Sequence, residues 1–218
     1  GPTIFGDSPY QPSSGCAGNI YFIDLDKLVD EGLLEKEEIL GYNWGTDESE
    51  IDYAALHQNR CKILQKAFER FDTNAQDFQD FVKKQSEWLE QYALFMTLKT
   101  DNLYKNWSEW PSEYRNTQTV ALEKYQKKNY NTITFWKFCQ YKFFEQWEDL
   151  KNYANSKGIY IIGDISFYVG YDSVDVWAER QLFMMSANDT PEYVAAAGPD
   201  KYSESGQVWG NPMYDWNA

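Results

Sequence analysis

The chain has 218 residues, 43% of them apolar, so it is long enough to bury one large core or two small ones. Its 34 acidic residues outnumber 20 lysines and arginines, and the net charge of -14 disfavours binding to nucleic acid or to anionic membranes. The sequence contains neither an apolar run of the roughly 18 residues that span a membrane nor an export leader, so we expect a cytoplasmic location.

The first residues predict a long loop that is followed by short helices. Residues 1–22 are rich in Gly, Pro, Ser and Asn, and loops of this length inside a domain are usually functional. Asp24 is a suitable N-cap for a helix over residues 25–33 that ends near Gly32. A further helical turn is predicted over residues 35–40.

A helical pattern continues to about Gly158. Asp52 is predicted to cap a helix in which apolar residues recur every three or four positions up to residue 71. The same spacing follows Asn74 and predicts two more helices, either broken near Gln85 or continuous through it. Residues 107–111 interrupt the pattern because a proline disfavours helical geometry in the residue before it. A weaker helix is predicted over residues 119–128.

The longest predicted helix covers residues 132–156 and is followed by a predicted strand. Its apolar residues lie three or four positions apart and predict one buried face; they are Trp136, Cys139, Phe143, Trp147, Leu150 and Ala154. Gly158 supplies a helix stop, and residues 159–162 form a β-branched run typical of a strand buried on both faces of a parallel sheet. Mostly loop is predicted after Gly163, with one helical turn over residues 173–179.

Two clusters contain the candidate functional residues. Asp164 follows the predicted strand, where parallel α/β folds bind ligands, although it could equally cap the next turn. The loop 198–212 contains Tyr202, Gln207, Trp209 and Asn211, and its aromatic rings and amides suit a hydroxyl-rich ligand. A purely structural surface loop is the alternative. The high aromatic content does not decide in favour of a sugar ligand, because aromatic residues also fill protein cores.

Several motifs resemble those of one enzyme family, and they occur in the same order. They are Gly6-Asp7-Ser8-Pro9-Tyr10-Gln11, Ala17-Gly18-Asn19, Gly163-Asp164-Ile165-Ser166-Phe167-Tyr168-Val169, Asp172-Ser173-x-Asp175-x-Trp177-Ala178, Leu182-Phe183, Ser203-x-x-Gly206-Gln207-x-Trp209-Gly210-Asn211-Pro212 and Tyr214-Asp215-Trp216. This set resembles glycoside hydrolase family 77, which comprises the amylomaltases and the plant disproportionating enzymes. The resemblance spans the chain and is strongest at its two ends.

The resemblance implies an α/β fold, namely an incomplete (β/α)8 TIM barrel fragment with a large, mostly α-helical insertion after the first barrel strand. Residues 1–23 would then be a substrate-binding loop that follows this strand. Residues 24–130 would be the helical insertion. Residues 131–218 would supply a barrel helix, the barrel strand with Asp164 and the substrate-binding loops that follow.

The resemblance also implies an activity, a 4-α-glucanotransferase that moves α-1,4-glucan segments between malto-oligosaccharides by a retaining double displacement, without cofactor or metal. It implies sugar-binding roles for seven residues: Ser8, Tyr10, Asp164, Tyr202, Gln207, Trp209 and Asn211. The family's nucleophile lies in an Arg-x-Asp-His motif, whereas the only histidine, His57, lies in a predicted helix. We therefore expect all the catalytic carboxylates after Ala218 and expect these 218 residues alone to be inactive.

The sequence departs from the family pattern at Ser166, Glu179, Arg180, Gly198 and Lys201. Two other classes of function remain open because the nucleophile motif is absent. One is a non-catalytic glucan-binding module or pseudoenzyme. The other is a helical scaffold that only inherited the sequence.

Overall fold

The computed structural model describes residues 1–3, 7–47 and 49–218, so Gly6, which opens the N-terminal motif, lies outside the described residues. The α-helices are α1 (Leu25–Asp30), α2 (Lys36–Leu40), α3 (Tyr53–Arg70), α4 (Gln76–Lys84), α5 (Ser86–Asp101), α6 (Ser112–Arg115), α7 (Thr119–Lys128), α8 (Tyr130–Ser156) and α9 (Val174–Ala178). Short 3-10 helices cover Ile20–Phe22, Trp107–Glu109 and Arg180–Leu182, and the strands are β1 (Val194–Ala197) and β2 (Gln207–Pro212). None of the helices in the described ranges has the length and apolarity that crossing a bilayer requires.

The chain folds into two compact units. Unit 1 contains Gly1–Ala17, Gln91–Tyr130 and Asp164–Ala218, and unit 2 contains Gly18–Glu90 and Asn131–Gly163. This division differs from the three predicted segments, because the helical stretch 24–130 contributes to both units. The assignment of those segments to parts of a barrel stays a prediction.

The predicted helix boundaries are confirmed where a capping residue marks them. The Asp52 carboxylate accepts a hydrogen bond from the backbone N–H of Ala55 at 2.9 Å, and Asp24 caps α1 in the same way. Gly158 follows α8 with φ +74°, a left-handed conformation that glycine adopts without strain. The question left open at Gln85 is answered by a break, since α4 ends at Lys84 and α5 begins at Ser86.

The core of unit 2 is an aromatic cluster between α3, α4 and α8. The ring of Phe71 lies 4.8 Å from that of Phe138 and 5.3 Å from that of Phe78, measured between centroids. On α8, Trp136 and Cys139 are buried as predicted. The predicted buried face does not extend further, however, because Trp147 and Leu150 are exposed in this chain.

The core of unit 1 combines aromatic rings with a buried ion pair. Phe95 on α5 lies 5.3 Å from Trp110 and 5.8 Å from Trp177, measured between ring centroids. Nearby, the ammonium of Lys99 contacts the carboxylate of Asp172 at 2.5 Å, and the Lys99 side chain is fully buried. These contacts fix the segment that follows Asp164 against α5.

The β-structure differs from the prediction in two respects. The predicted strand over residues 159–162 is wrong for this chain, where these residues belong to no strand and are exposed. A strand is stable only when neighbours accept its backbone hydrogen bonds, and the described sheet is a separate antiparallel pair. That pair, β1 with β2, was predicted only as a loop. Its register is irregular between Val194 and Ala196.

Candidate functional site

One part of the candidate site is a tight turn that contains Tyr10. The backbone N–H of Gln11 donates to the carbonyl of Ser8 at 3.1 Å, and Pro9 stands at the position where its fixed φ favours a β-turn. The Ser8 hydroxyl accepts a bond from the Tyr10 N–H at 3.3 Å, which tightens the turn further. Tyr10 is 61% exposed, so its side chain is available to a ligand.

Tyr10 contacts Asp164, which is distant from it in the sequence. Its hydroxyl donates to the Asp164 carboxylate at 3.4 Å, a long bond between two exposed groups that are 154 positions apart in sequence. Both groups can exchange this weak bond for bonds to a ligand at small cost. The structure therefore brings two of the predicted site residues together.

The strand β2 contributes Gln207 and Trp209, which lie two positions apart and so point to the same side of the strand. The indole N–H of Trp209 donates to the side-chain carbonyl of Gln207 at 3.1 Å. Beside them, the Gln11 amide donates to the backbone carbonyl of Trp209 at 2.6 Å. The Tyr10 turn and β2 are thus directly joined.

Asn211 is the most buried of the predicted site residues, at 2% exposure. Its side-chain nitrogen donates to the carbonyls of Tyr10 and Val169, both at 3.0 Å, and its oxygen accepts from Gln11 at 2.8 Å. This amide lies beneath the site and bonds to the protein itself.

Tyr202 occupies a different position, on the exposed turn between β1 and β2. Its backbone N–H donates to Asp200 at 2.8 Å, and the ammonium of Lys201 lies 4.6 Å from the centre of its ring. The ring is 81% exposed. Its described contacts are therefore local, in contrast to the bond between Tyr10 and Asp164 and the bond between Gln11 and Trp209.

Sequence reasoning did not predict two long-range contacts, one made by Gln11 and one made by Asp175. Gln11 was recognised only as part of a motif, although it links the turn to β2. Asp175 accepts a bond from the backbone N–H of Gly15 at 3.0 Å, and burial raises the pKa of its carboxyl above the ordinary value. No local pattern indicates either link, because each depends on residues more than 150 positions apart.

The geometry suits a neutral, polyhydroxylated ligand. The exposed groups are a phenol paired with a carboxylate and an indole paired with a carboxamide, and they combine flat apolar faces with donors and acceptors. Within the described ranges, no three His, Cys, Asp or Glu side chains are placed to hold a metal ion.

Comparison with known proteins identifies the family. The model of glycoside hydrolase family 77, described as 4-alpha-glucanotransferase, matches residues 1–218. The chain is 44% identical to a 4-alpha-glucanotransferase of Streptococcus pneumoniae over 223 aligned residues and 41% identical to that of Clostridium butyricum over 218. These alignments cover 100% and 99% of this chain but only 44% and 45% of the relatives. The chain thus spans less than half the length of the curated relatives it matches.

A solved structure agrees with this assignment. The amylomaltase of Streptococcus agalactiae in complex with acarbose superposes with a TM-score of 0.92 at 38% identity, covering 99% of this chain and 44% of that one. The amylomaltase of Corynebacterium glutamicum, at 19% identity and a TM-score of 0.65 over 95% of this chain and 28% of its own, shares the fold. The chain belongs to glycoside hydrolase family 77, the family of the 4-alpha-glucanotransferases.

Proposed function

We propose that this chain is the sugar-binding portion of a 4-α-glucanotransferase that transfers α-1,4-glucan segments between malto-oligosaccharides. The observation that carries the proposal is the contact of Tyr10 with Asp164, next to the bond by which Gln11 joins the same turn to the backbone of Trp209, in a chain whose relatives are named for this activity. A relative solved with acarbose supports a ligand of the same chemical kind.

In the proposed reaction, a carboxylate outside this span attacks the anomeric carbon while a second acid protonates the departing sugar oxygen. A hydroxyl group of an acceptor sugar then attacks the anomeric carbon of the glycosyl-enzyme, the bond to the first carboxylate breaks, and the hydroxyl proton returns to the group that acted as acid. The two successive inversions keep the anomeric configuration. Asp164 and Tyr10 would bind hydroxyls of the sugar under attack. Trp209 would stack against the donor chain, with Ser8, Gln207 and the exposed Tyr202 as further contacts. Exclusion of water would favour transfer over hydrolysis.

The proposed fold of the longer protein is a (β/α)8 barrel. Residues 1–23 would follow its first strand, residues 24–130 would form the helical insertion, and residues 131–218 would return to the barrel. What supports this is the exposure of apolar side chains at residues 159–162, with Ile162 at 95%. Contiguous apolar surface of this kind is normally covered, and neighbouring barrel strands would cover it.

The substitution Asp164→Asn in the full-length protein tests the role of the site. We expect kcat/KM for maltotriose disproportionation to fall by about 30-fold or more, because a charge-assisted hydrogen bond to the reacting sugar is worth about 2 kcal/mol. The products, glucose and longer maltodextrins, are separated and quantified by chromatography. Normal turnover by this variant would show that Asp164 does not bind the reacting sugar.

The matched control is Asp149→Asn. Asp149 is exposed on α8 and pairs with Lys27 at the surface, at 3.2 Å, so its substitution should change turnover by less than about twofold. If the full-length protein binds maltoheptaose in a calorimetric titration but transfers no glucan, it is a glucan-binding module and not a transferase.

A further inference from the structure

Three separate segments converge on the carboxamide of Asn211. One is the Tyr10 turn, one is the stretch at Val169, and the third is β2 itself. Both hydrogens of the Asn211 nitrogen are used, by the carbonyls of Tyr10 and Val169, so no donor is left for a ligand.

The orientation of both amides in this cluster is fixed by their surroundings. The nitrogen of Gln11 donates to two acceptors, the carbonyl of Trp209 at 2.6 Å and the side-chain oxygen of Asn211 at 2.8 Å. Turning either amide over would place its oxygen against a carbonyl oxygen, which repels it. These hydrogen bonds are therefore all formed in only one orientation of each amide.

The same segments are also joined through their backbones. The N–H of Gly170 donates to the carbonyl of Pro12 at 3.1 Å. A side-chain carbon added at Gly170 would come within 3.3 Å of that carbonyl oxygen, so glycine permits the close approach. Tyr10 is thus held through its own carbonyl and through the two residues that follow it, Gln11 and Pro12.

We propose that Gln11 and Asn211 form a positioning latch, which sets the relative placement of Tyr10 and Trp209 and through it the fit of the sugar. The burial of Asn211 and the use of both its donors make it a support beneath the sugar-binding surface, in place of the direct sugar contact expected from the family motif. This inference rests on the proposed function, which assigns sugar contacts to Tyr10 and Trp209.

Hydrogen exchange in the full-length protein tests whether the latch exists, independently of any activity. In Asn211→Leu, which keeps the approximate volume but removes every hydrogen bond, peptides covering residues 8–12 and 207–211 should exchange at least tenfold faster than in the wild type. Peptides from α8 should exchange as before. Unchanged exchange in both latch segments would overturn the proposal.

Steady-state kinetics on maltotriose test what the latch does. The variants Asn211→Leu and Gln11→Met should each lower transfer kcat/KM at least tenfold and raise KM at least threefold, measured well below the unfolding temperature of each. A smaller fraction of folded enzyme would lower the apparent kcat but could not raise KM. The control is Asn152→Leu, on the exposed part of α8, which should leave both constants within twofold of the wild type.

The double variant Gln11→Met/Asn211→Leu decides whether the two residues act together. The fold-decrease in its kcat/KM should be at least threefold smaller than the product of the two single-variant decreases. The reason is that the second substitution acts on contacts that the first has already broken. A fall equal to that product, or an Asn211→Leu enzyme within twofold of the wild type, would overturn the positioning role. If the wild type transfers no glucan, the proposed function fails and hydrogen exchange alone decides on the latch.

Discussion

Lys99 and Asp172 illustrate how a single buried pair supports the site-bearing segment. Lys99 also donates to the carbonyls of Tyr104 and Lys105, at 3.2 and 2.7 Å, and Asp172 accepts from the backbone of Trp107 at 3.2 Å. Burial lowers the pKa of Lys99 and raises the pKa of Asp172, in each case against the opposing effect of the partner's charge. Both charged groups have hydrogen-bond partners, which offsets the free energy needed to bury them. Removing one of the two would leave the other charge buried without its counter-charge, which destabilises the folded state.

The substitution Lys99→Met should lower the free energy of unfolding of the full-length protein by about 3 to 5 kcal/mol at pH 7. Without Lys99, the folded-state pKa of Asp172 rises further above its unfolded value, so the charged carboxylate penalises the folded state. That penalty disappears as the pH falls through the raised pKa, so the difference from the wild type should shrink as the pH is lowered from 7. Urea titrations followed by tryptophan fluorescence measure both effects.

The matched variant is Lys99→Met/Asp172→Asn. Asparagine keeps the acceptor for the backbone of Trp107 but carries no charge, so the double variant should regain most of the lost stability. A double variant as unstable as Lys99→Met alone would show that Lys99 acts through its contacts with carbonyls and not through Asp172.

At the scale of elements, α8 holds the segment around the 3-10 helix Ile20–Phe22 through two glutamines. Gln140 accepts from the backbone N–H of Gly18 at 2.7 Å and donates to its carbonyl at 3.0 Å, and Gln146 makes the same pair of bonds with Asp24. Each glutamine amide therefore satisfies both the backbone donor and the backbone acceptor of one residue in this segment. The chain approaches α8 so closely that a methyl group on Gly18 would overlap the ring of Phe143.

Gly18→Ala should therefore destabilise the full-length protein by about 1 to 3 kcal/mol, because either the chain or the Phe143 ring must shift. The urea midpoint of unit 2 unfolding, reported by hydrogen exchange of α8 peptides, measures it. Gly198→Ala is the control. A side-chain carbon there meets nothing within 4 Å, so its effect should stay within about 0.5 kcal/mol. Equal effects of the two substitutions would contradict the close approach.

Helices were predictable here because their signals are local, whereas the hairpin and the site were not. Asp52 and Gly158 mark helix ends within one turn of the chain. In contrast, β2 contains Gly210 and Pro212, which mark loops in most sequences, and β1 consists mainly of alanines that favour helices. The proximity of Tyr10 and Asp164 follows from tertiary packing across the whole chain, and only the family motifs indicated that both belong to one site.

At the scale of the whole molecule, an exposed apolar segment in the described part of the chain bears on the fold of the longer protein. Side chains at residues 159–162, just before Asp164, are exposed, and so are Trp147 and Leu150 on α8. The curated relatives are more than twice the length of this chain. A barrel strand at residues 159–162 would both bury these side chains and place Asp164 at the carboxyl end of the strand, where barrel enzymes carry their active sites.

Hydrogen exchange of residues 160–162 distinguishes a barrel strand from an exposed connection. In the full-length protein, paired and buried amides should exchange at least about a thousandfold more slowly than an unstructured peptide, close to the rates of the α8 core. In a polypeptide limited to these 218 residues, the same amides should exchange within about tenfold of the unstructured rate, while α8 around Cys139 stays protected. Rapid exchange of residues 160–162 in the full-length protein would rule out a strand there, and the position of Asp164 would then need another explanation.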